Sequence, residues 1–423
     1  MDKIIPSVKG ARDFYPEEMA NRAWLYAVLR EVSESFGYQE YDAPFLEKID
    51  LYAAKSGEEL VKEQAFVFPD RGGDLITLRP ELTPSLARMV AQRQRQLTYP
   101  LRWWSFGPFW RYERPQKGRT REFFQWNVDL IGANSPESDA ELVAVCVSFF
   151  KKAGLSSRQV RIDVNDRRLM DSELKKLGIT EPEAKKLTYR LIDRRDKMRA
   201  EDWAAYAREC GLMDEQFKGI QRILDQSELW KNSAEMTRFF TALHALKADE
   251  YVQYNPQVIR GLEYYTGTVF EAYDLDRDGR AILGGGHYDN LVADVGGDPL
   301  PGVGFAMGDV MIGIVLQKYG CLPPYRGVPA DVLVTVFDEN LLSASQNVAS
   351  ELRRGGLKTI CFTEPVRLQR QLKYADRMGI RFVVILGPDE MAAGNITIKD
   401  LKLGEQHTIA RFNAASAAKK LLA

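Results

Sequence analysis

The chain has 423 residues, 45% of them hydrophobic, with 58 Lys and Arg set against 59 Asp and Glu. That length suits two or three domains, each with its own core. The near-zero balance excludes an overall field drawing the chain to nucleic acid or membrane, so any polyanion must meet a local patch. Cys146, Cys210, Cys321 and Cys361 form no CxxC, and His244, His287 and His407 are scattered, so no protein motif for a metal and no disulfide framework is indicated. No run nears the roughly 18 apolar residues of a membrane span, and MDKIIPSVKGARDFYP has no apolar leader, so the cytoplasm is the expected compartment and no membrane partner is expected.

Pro16, Glu17 and Glu18 open a helix whose core face is Trp24, Leu25, Val28, Leu29, Val32 and Phe36, with Gly37 as its stop. Short strands are expected over Tyr38–Pro44, Ala65–Phe68 and Leu75–Leu78, then a helix starting at Thr83 and Pro84. LRWWSFGPFW (Leu101–Trp110) and FFQWNVDLIG read as two strands joined by a polar loop. Ser135 and Pro136 start a helix that runs to Lys152. From Asp166 to Lys247 the sequence is charged and helix-forming, which reads as a helical insertion. Gly-rich strands return in VIRGLEYYTGTVFEAY and AILGGGHYDNLV, and PGVGFAMGDVMIGIVLQ reads as a strand running into a helix. The linker YGCLPPYRGVP carries three prolines and two glycines, and a β-α-β-α-β pattern follows it. From Pro329 onward there are 13 Lys/Arg against 10 Asp/Glu, a mildly basic balance that permits RNA binding.

Three segments carry chemistry. RYERPQKGRTREFFQ (Arg111–Gln125) holds five Arg/Lys, two carboxylates and two Phe around a Pro and a Gly, and guanidinium forks match carboxylate and phosphate oxygens two at a time. By itself such a run is more often a solvated basic loop. RGLEYYTGTVFE (Arg260–Glu271) with GGGHYDNLV (Gly284–Val292) sets an arginine and tyrosines beside glycines that admit close backbone approach, or simply mark a bulge. LRPELTPS (Leu78–Ser85) places Glu81 and Thr83 at a helix start, where an ordinary cap is the plainer explanation.

Together these blocks resemble the histidyl-tRNA synthetase family, within the class II aminoacyl-tRNA synthetases, from about Gly10 to the C-terminal domain. Trp110–Gln125 matches motif 2, Pro44 in YDAPFLE the proline of motif 1, and RGLEYYTG and GGGHYD the two histidine-specific segments. The tail, with QLKYADRMGI and IKDLKLGEQ, resembles the anticodon-binding domain. The fold this implies is α+β: an antiparallel-sheet catalytic domain over residues 1–165 and 248–320, a helical insertion at 166–247, a linker at 321–328, and an α/β anticodon-binding-like domain at 329–423.

The resemblance implies an ATP-dependent histidine–tRNA ligase, a homodimer through motif 1, with Mg2+ accompanying ATP and with L-histidine and its tRNA as partners. Arg111 would bridge the amino-acid carboxylate and the α-phosphate, and Arg260 would stabilise the same centre. Arg121 would hold the triphosphate, Glu113 the adenine amino group, and Phe123 would stack on the ring. Asp129, Tyr265 and Tyr288 would face the imidazole, Glu81, Thr83 and Gln125 the α-amino group. Arg114, Gln116, Lys117 and Arg119 would touch the tRNA acceptor end. A non-catalytic synthetase-like regulatory subunit of ATP phosphoribosyltransferase in histidine biosynthesis is the alternative. That paralogue typically lacks the C-terminal domain and erodes the motif 2 and histidine-specific arginines, whereas this chain keeps Arg111, Arg121, Arg260 and the domain. Two positions depart from the family pattern: Met311 stands where motif 3 ends in an adenine-covering arginine, and His287 where GGGRYD has its arginine.

Overall fold

The computed structural model describes residues 4–53, 63–259, 265–276, 279–325 and 327–422. They form two compact units: one of residues up to Phe14 with Asn21–Pro323, the other of Tyr15–Ala20 with the chain from Pro324 onward.

In chain order the first unit is built from α1 (Pro16–Ser35, from Asn21), β1 (Gln39–Glu40), β2 (Leu46–Lys48), α2 (Asp50–Ala53), β3 (Phe66–Pro69), β4 (Leu75–Leu78), α3 (Thr83–Arg93), β5 (Leu101–Trp110) and β6 (Glu122–Ile131). Then come α4 (Pro136–Lys152), β7 (Val160–Asp166), five helices α5 (Arg167–Lys176), α6 (Pro182–Asp193), α7 (Ala200–Glu209), α8 (Asp214–Leu224) and α9 (Ala234–Ala245), followed by β8 (Val252–Tyr254), β9 (Thr268–Asp274), β10 (Leu283–Tyr288), β11 (Gly302–Gly308) and α10 (Asp309–Lys318). Eight strands make the main sheet in the order β1-β5-β6-β11-β10-β9-β7-β8. Its central pairings are antiparallel, and the outermost pairs β1/β5 and β7/β8 are parallel. Alternation along β6 explains which face is buried: Trp126, Val128 and Leu130 join Leu142, Val145 and Phe149 of α4 in the main core. Ser135 caps α4 by accepting from Ser138 N at 3.2 Å, the start its sequence implied.

The early strand is shorter than Tyr38–Pro44: β1 has two residues, pairing only with Trp103 and Trp104, and the chain then leaves the sheet ahead of Pro44, which has no N–H to give a ladder. A separate three-stranded sheet, β2-β4-β3, forms instead. The strand expected from Val258 begins only at Thr268; residues 260–264 lie outside the described residues.

The second unit carries β12 (Val332–Val334), α11 (Leu342–Arg354), β13 (Thr359–Cys361), α12 (Leu368–Arg377), β14 (Phe382–Ile385), α13 (Pro388–Ala393), β15 (Asn395–Asp400), β16 (Gln406–Ala410) and α14 (Ala414–Leu422). β12 pairs in parallel with β13 and β14, as the alternation of helix and strand implied. The antiparallel hairpin β15–β16 extends this sheet beyond that pattern.

Candidate active site

The face of the main sheet opposite the core holds the site. On β6 the residues between the buried apolar ones are Phe123, Gln125, Asn127 and Asp129, and the strands alongside put glycines level with them. Gly107 of β5 and Gly308 of β11 pair with Gln125, and Gly304 of β11 pairs with Asp129. Gly286 of β10 pairs with Gly304 in turn. The result is a sheet floor with few side chains over β10 and β11, bordered by Ser105 and Trp103 of β5 level with Asn127 and Asp129 and by Glu271 of β9 level with Gly284. Gly304 is required by contact: a Cβ there would collide with Asp129 Oδ1 and stand 3.2 Å from Val128 O. Gly304→Ala is therefore expected to lower urea-unfolding stability by about 1–3 kcal/mol, the range for overpacking a filled site.

Asp129 lies at one end of this floor. It is 7% exposed and accepts from Tyr288 Oη at 3.1 Å. Burial pushes its carboxyl up to about 7, against the Tyr288 bond that favours the ionised form. Tyr265 is buried with Tyr288 and Val269 in one small apolar cluster, so both rings flank the same carboxylate end of the pleat.

The other end is the hairpin joining β5 to β6. Arg111 N donates to Arg121 O at 2.9 Å, extending the ladder, and Arg111 Nε donates to Pro80 O at 2.9 Å, which ties the guanidinium to the loop carrying Glu81. Its Cζ sits 5.5 Å from the Phe123 ring centroid. Arg121 lies 4.0 Å over Tyr112 and donates to Glu113 O at 3.3 Å. Glu113 pairs with Arg119 at 2.6 Å, so one group assigned to adenine and one assigned to tRNA hold each other here. Gln116 and Arg119 exchange backbone bonds around a tight turn in which Gly118 has φ 79°, leaving Arg114, Gln116 and Lys117 exposed at the tip. Met311, on the first turn of α10, presses its thioether on Gly118 from the far side. Thr83 begins α3, with Glu81 two residues before it in the loop. Arg260 lies outside the described residues.

Two residues had no role in the motif reading. Arg79 is fully buried, bonded to Asp42 Oδ1 (2.6 Å), Ala43 O (2.9 Å) and Pro108 O (2.9 Å), with Phe45 and Phe109 each 4.6 Å from its Cζ. It fastens the loop that carries Glu81 to β5 and to the segment before Pro44. Asn127 lies on the floor between Gln125 and Asp129, its buried Nδ2 without a hydrogen-bond partner among the described residues. The alternation in QWNVD was the signal for it.

The family described as histidyl-tRNA synthetase matches residues 10–309, and the anticodon binding domain matches residues 331–421. The chain belongs to the histidyl-tRNA synthetase family. A histidine–tRNA ligase of Thermoplasma volcanium is 37% identical over 421 residues, covering 96% of this chain and 96% of its own. The chloroplastic/mitochondrial histidine–tRNA ligase of Arabidopsis thaliana is 36% identical over 411 residues, covering 95% of this chain and 84% of its own. Among solved structures, histidyl-tRNA synthetase from Nostoc sp. PCC 7120 superposes with a TM-score of 0.80 at 25% identity, covering 99% of this chain and 100% of that one. An ATP phosphoribosyltransferase regulatory subunit/histidyl-tRNA synthetase from Bacillus halodurans shares the fold, with a TM-score of 0.72 at 22% identity over 91% of this chain and 99% of that one.

Proposed function

We infer that the chain joins histidine to its tRNA in two steps. The histidine carboxylate attacks the α-phosphate of ATP, giving histidyl-adenylate and releasing pyrophosphate. The terminal ribose hydroxyl of the tRNA then attacks the adenylate carbonyl and AMP leaves. The observation that carries this reading is the pairing of two ends on one glycine floor: a buried carboxylate with two tyrosines, and a hairpin of guanidinium groups.

In the first step negative charge gathers between carboxylate and phosphate, so preorganised cations are the main resource. Arg111 and Arg260 are assigned to that centre, Arg121 to the triphosphate, and Phe123 and Glu113 to adenine. The Glu113–Arg119 pair must open for Glu113 to accept from the adenine amino group, which frees Arg119 for the tRNA end with Arg114, Gln116 and Lys117. Met311 is placed to contribute packing where the family's arginine gives a cation over adenine. Asp129, Tyr265 and Tyr288 are assigned to the imidazole, Glu81, Thr83 and Gln125 to the α-amino group. A buried carboxylate aimed at a ring N–H rejects amino acids that cannot donate to it.

Magnesium is proposed to enter with ATP, held chiefly by its phosphates. Glu271 on β9, paired with Gly284 of the floor, offers the hard oxygen that Mg2+ takes, so the chemistry of that position suits it. A homodimer through the motif 1 region is supported by exposed Phe45, Leu46, Phe68 and Leu75 around the small sheet β2-β4-β3, apolar surface of the kind a partner covers. The cytoplasm is the proposed compartment; among the described residues no helix is long and apolar enough to cross a membrane. The helical stretch 166–247 and the tail from Pro329 are proposed as the insertion and the anticodon-binding domain.

Exchange of labelled pyrophosphate into ATP, run with each amino acid, tests the reading. Histidine alone should support exchange. Folded protein that binds histidine without exchange would favour the regulatory alternative.

A further inference from the structure

β10 sends neighbouring side chains to opposite faces. Tyr288 goes to the floor of the site, and His287 goes to the other face, where it is 2% exposed. There Nδ1 lies 2.9 Å from Asp139 Oδ1 on the first turn of α4, and Nε2 lies 3.3 Å from Asp289 Oδ1, the residue after Tyr288. Ionised carboxylates only accept hydrogen bonds, so both contacts are satisfied together only when both ring nitrogens carry a proton. A neutral ring would set a lone pair against one carboxylate.

The groups around the ring come from four other elements. It lines a cavity of about 260 Å³ with Asp139 of α4, Asp166 at the end of β7, Arg168 of α5, and Glu235 and Arg238 of α9. Arg168 is 3.6 Å from Asp289 and 3.9 Å from Glu235, and Arg238 is drawn 2.7 Å from Glu137. Burial holds the Asp166 carboxyl up at about 6. Burial also pulls the His287 pKa down, but the bond to and charge of Asp139, with Asp289 acting against Arg168, leave it raised above its ordinary value.

The backbone of His287 frames the site. Its carbonyl accepts from Thr266 N at 2.9 Å, joining β10 to the segment that carries Tyr265. A Cβ on Gly267 would stand 3.2 Å from His287 Cβ, so that segment lies directly on the histidine. Arg167 Nη1 holds the same segment through Tyr265 O at 2.9 Å.

We propose that His287 is a positioning residue, held as an imidazolium between Asp139 and Asp289, whose charge fixes Tyr288 and the Tyr265–Gly267 segment beside Asp129 and thereby sets histidine affinity. The proposal rests on the assignment of Asp129, Tyr265 and Tyr288 to the imidazole of the substrate. His287 does not touch the substrate; it acts through its neighbours. Because its folded pKa is raised, the clamp is complete at low pH and is lost as pH rises through that value. The arginine usual at this position in the family has the same donors in two directions and a charge that does not titrate in this range.

The experiment measures histidine KM and ATP KM in pyrophosphate exchange from pH 6 to 9, for the full chain, His287→Arg and His287→Gln. Free histidine and Asp129 titrate alike in all three, so the ratio of wild-type to His287→Arg KM isolates His287. That ratio should be near one at pH 6 and rise about five- to tenfold at pH 9, the scale of one ordinary hydrogen bond, since His287 acts on the substrate only through its neighbours. His287→Gln should bind histidine weakly at every pH, with ATP KM unchanged in both variants. A flat ratio overturns the proposal. The chain has only three histidines, so ring ¹⁵N NMR of the wild type reads the proton count directly. His287 should keep both ring protons to a higher pH than a histidine in a short peptide, and a ring that loses one at or below that pH overturns the proposal even where a variant folds poorly. Asp129→Ala in the same assay separates the two readings. An unchanged histidine KM would remove the pocket assignment, while the NMR result stands on His287 alone.

Discussion

Replacing Arg111 with alanine should slow histidine-dependent pyrophosphate exchange by about two to three powers of ten while histidine KM changes little, the loss expected when one preorganised donor to developing charge is removed. Preorganisation is visible in the structure. Arg111 continues the β5–β6 ladder through its backbone bond to Arg121 O, and its Nε is held by Pro80 O, beside the loop with Glu81. The guanidinium therefore has its plane set before any substrate arrives, and no reorganisation is spent at the moment of reaction. Lysine at this position keeps the charge and loses the fork, so Arg111→Lys should recover only part of the rate. Arg260→Ala should cost a similar factor, and the double variant less than the product of the two, because both are assigned to one centre. An equal fall in tRNA binding and in exchange would contradict the assignment of Arg111 to adenylation.

How much of this was legible depended on whether the signal was local. The hairpin was, because two ten-residue strands, the first rich in aromatics and the second with apolar residues alternating from Phe124 to Leu130, flank a run of turn residues. So was α4, where Ser135 and Pro136 mark the start and the capping bond forms as expected. The three-stranded sheet was not, since β2 is three residues long and its pairing with β4 depends on partners about thirty positions away. Arg79 was passed over for a related reason. An arginine in sequence reads as exposed, and only the fold shows it sealed between Phe45 and Phe109 with two carbonyls and the Asp42 carboxylate as its acceptors. Met311 and His287 were legible as departures but not as contacts. The structure sets the first against Gly118 of the hairpin and the second between two carboxylates, so the two departures lie at different places: one at the hairpin end of the floor, the other behind the Asp129 end.

Asp129→Asn should raise histidine KM by roughly 10- to 150-fold, the worth of a hydrogen bond to a charged group, and should also make the protein more stable above neutral pH. The second effect follows from burial. The Asp129 carboxyl titrates near 7 in the fold against 3.8 as an ordinary side chain. Between those values the folded chain holds a proton that the unfolded chain has released, so stability falls as pH rises through the window. A shift of that size corresponds to an upper bound on the order of 4 kcal/mol, reduced by whatever relaxation the site allows. Asparagine keeps the shape and the acceptor for Tyr288 but has no charge to bury. Thermal unfolding at pH 8 should therefore show a higher Tm for Asp129→Asn than for the wild type, with the gap closing near pH 4, where both folded forms are neutral at this position. An equal Tm at pH 8 would mean that the carboxylate is not strained by its surroundings. Histidine should narrow the difference, stabilising the wild type more than the variant, because a ring N–H gives the buried carboxylate a second donor beside Tyr288 and tighter ligand binding to the folded state adds more stability by mass action.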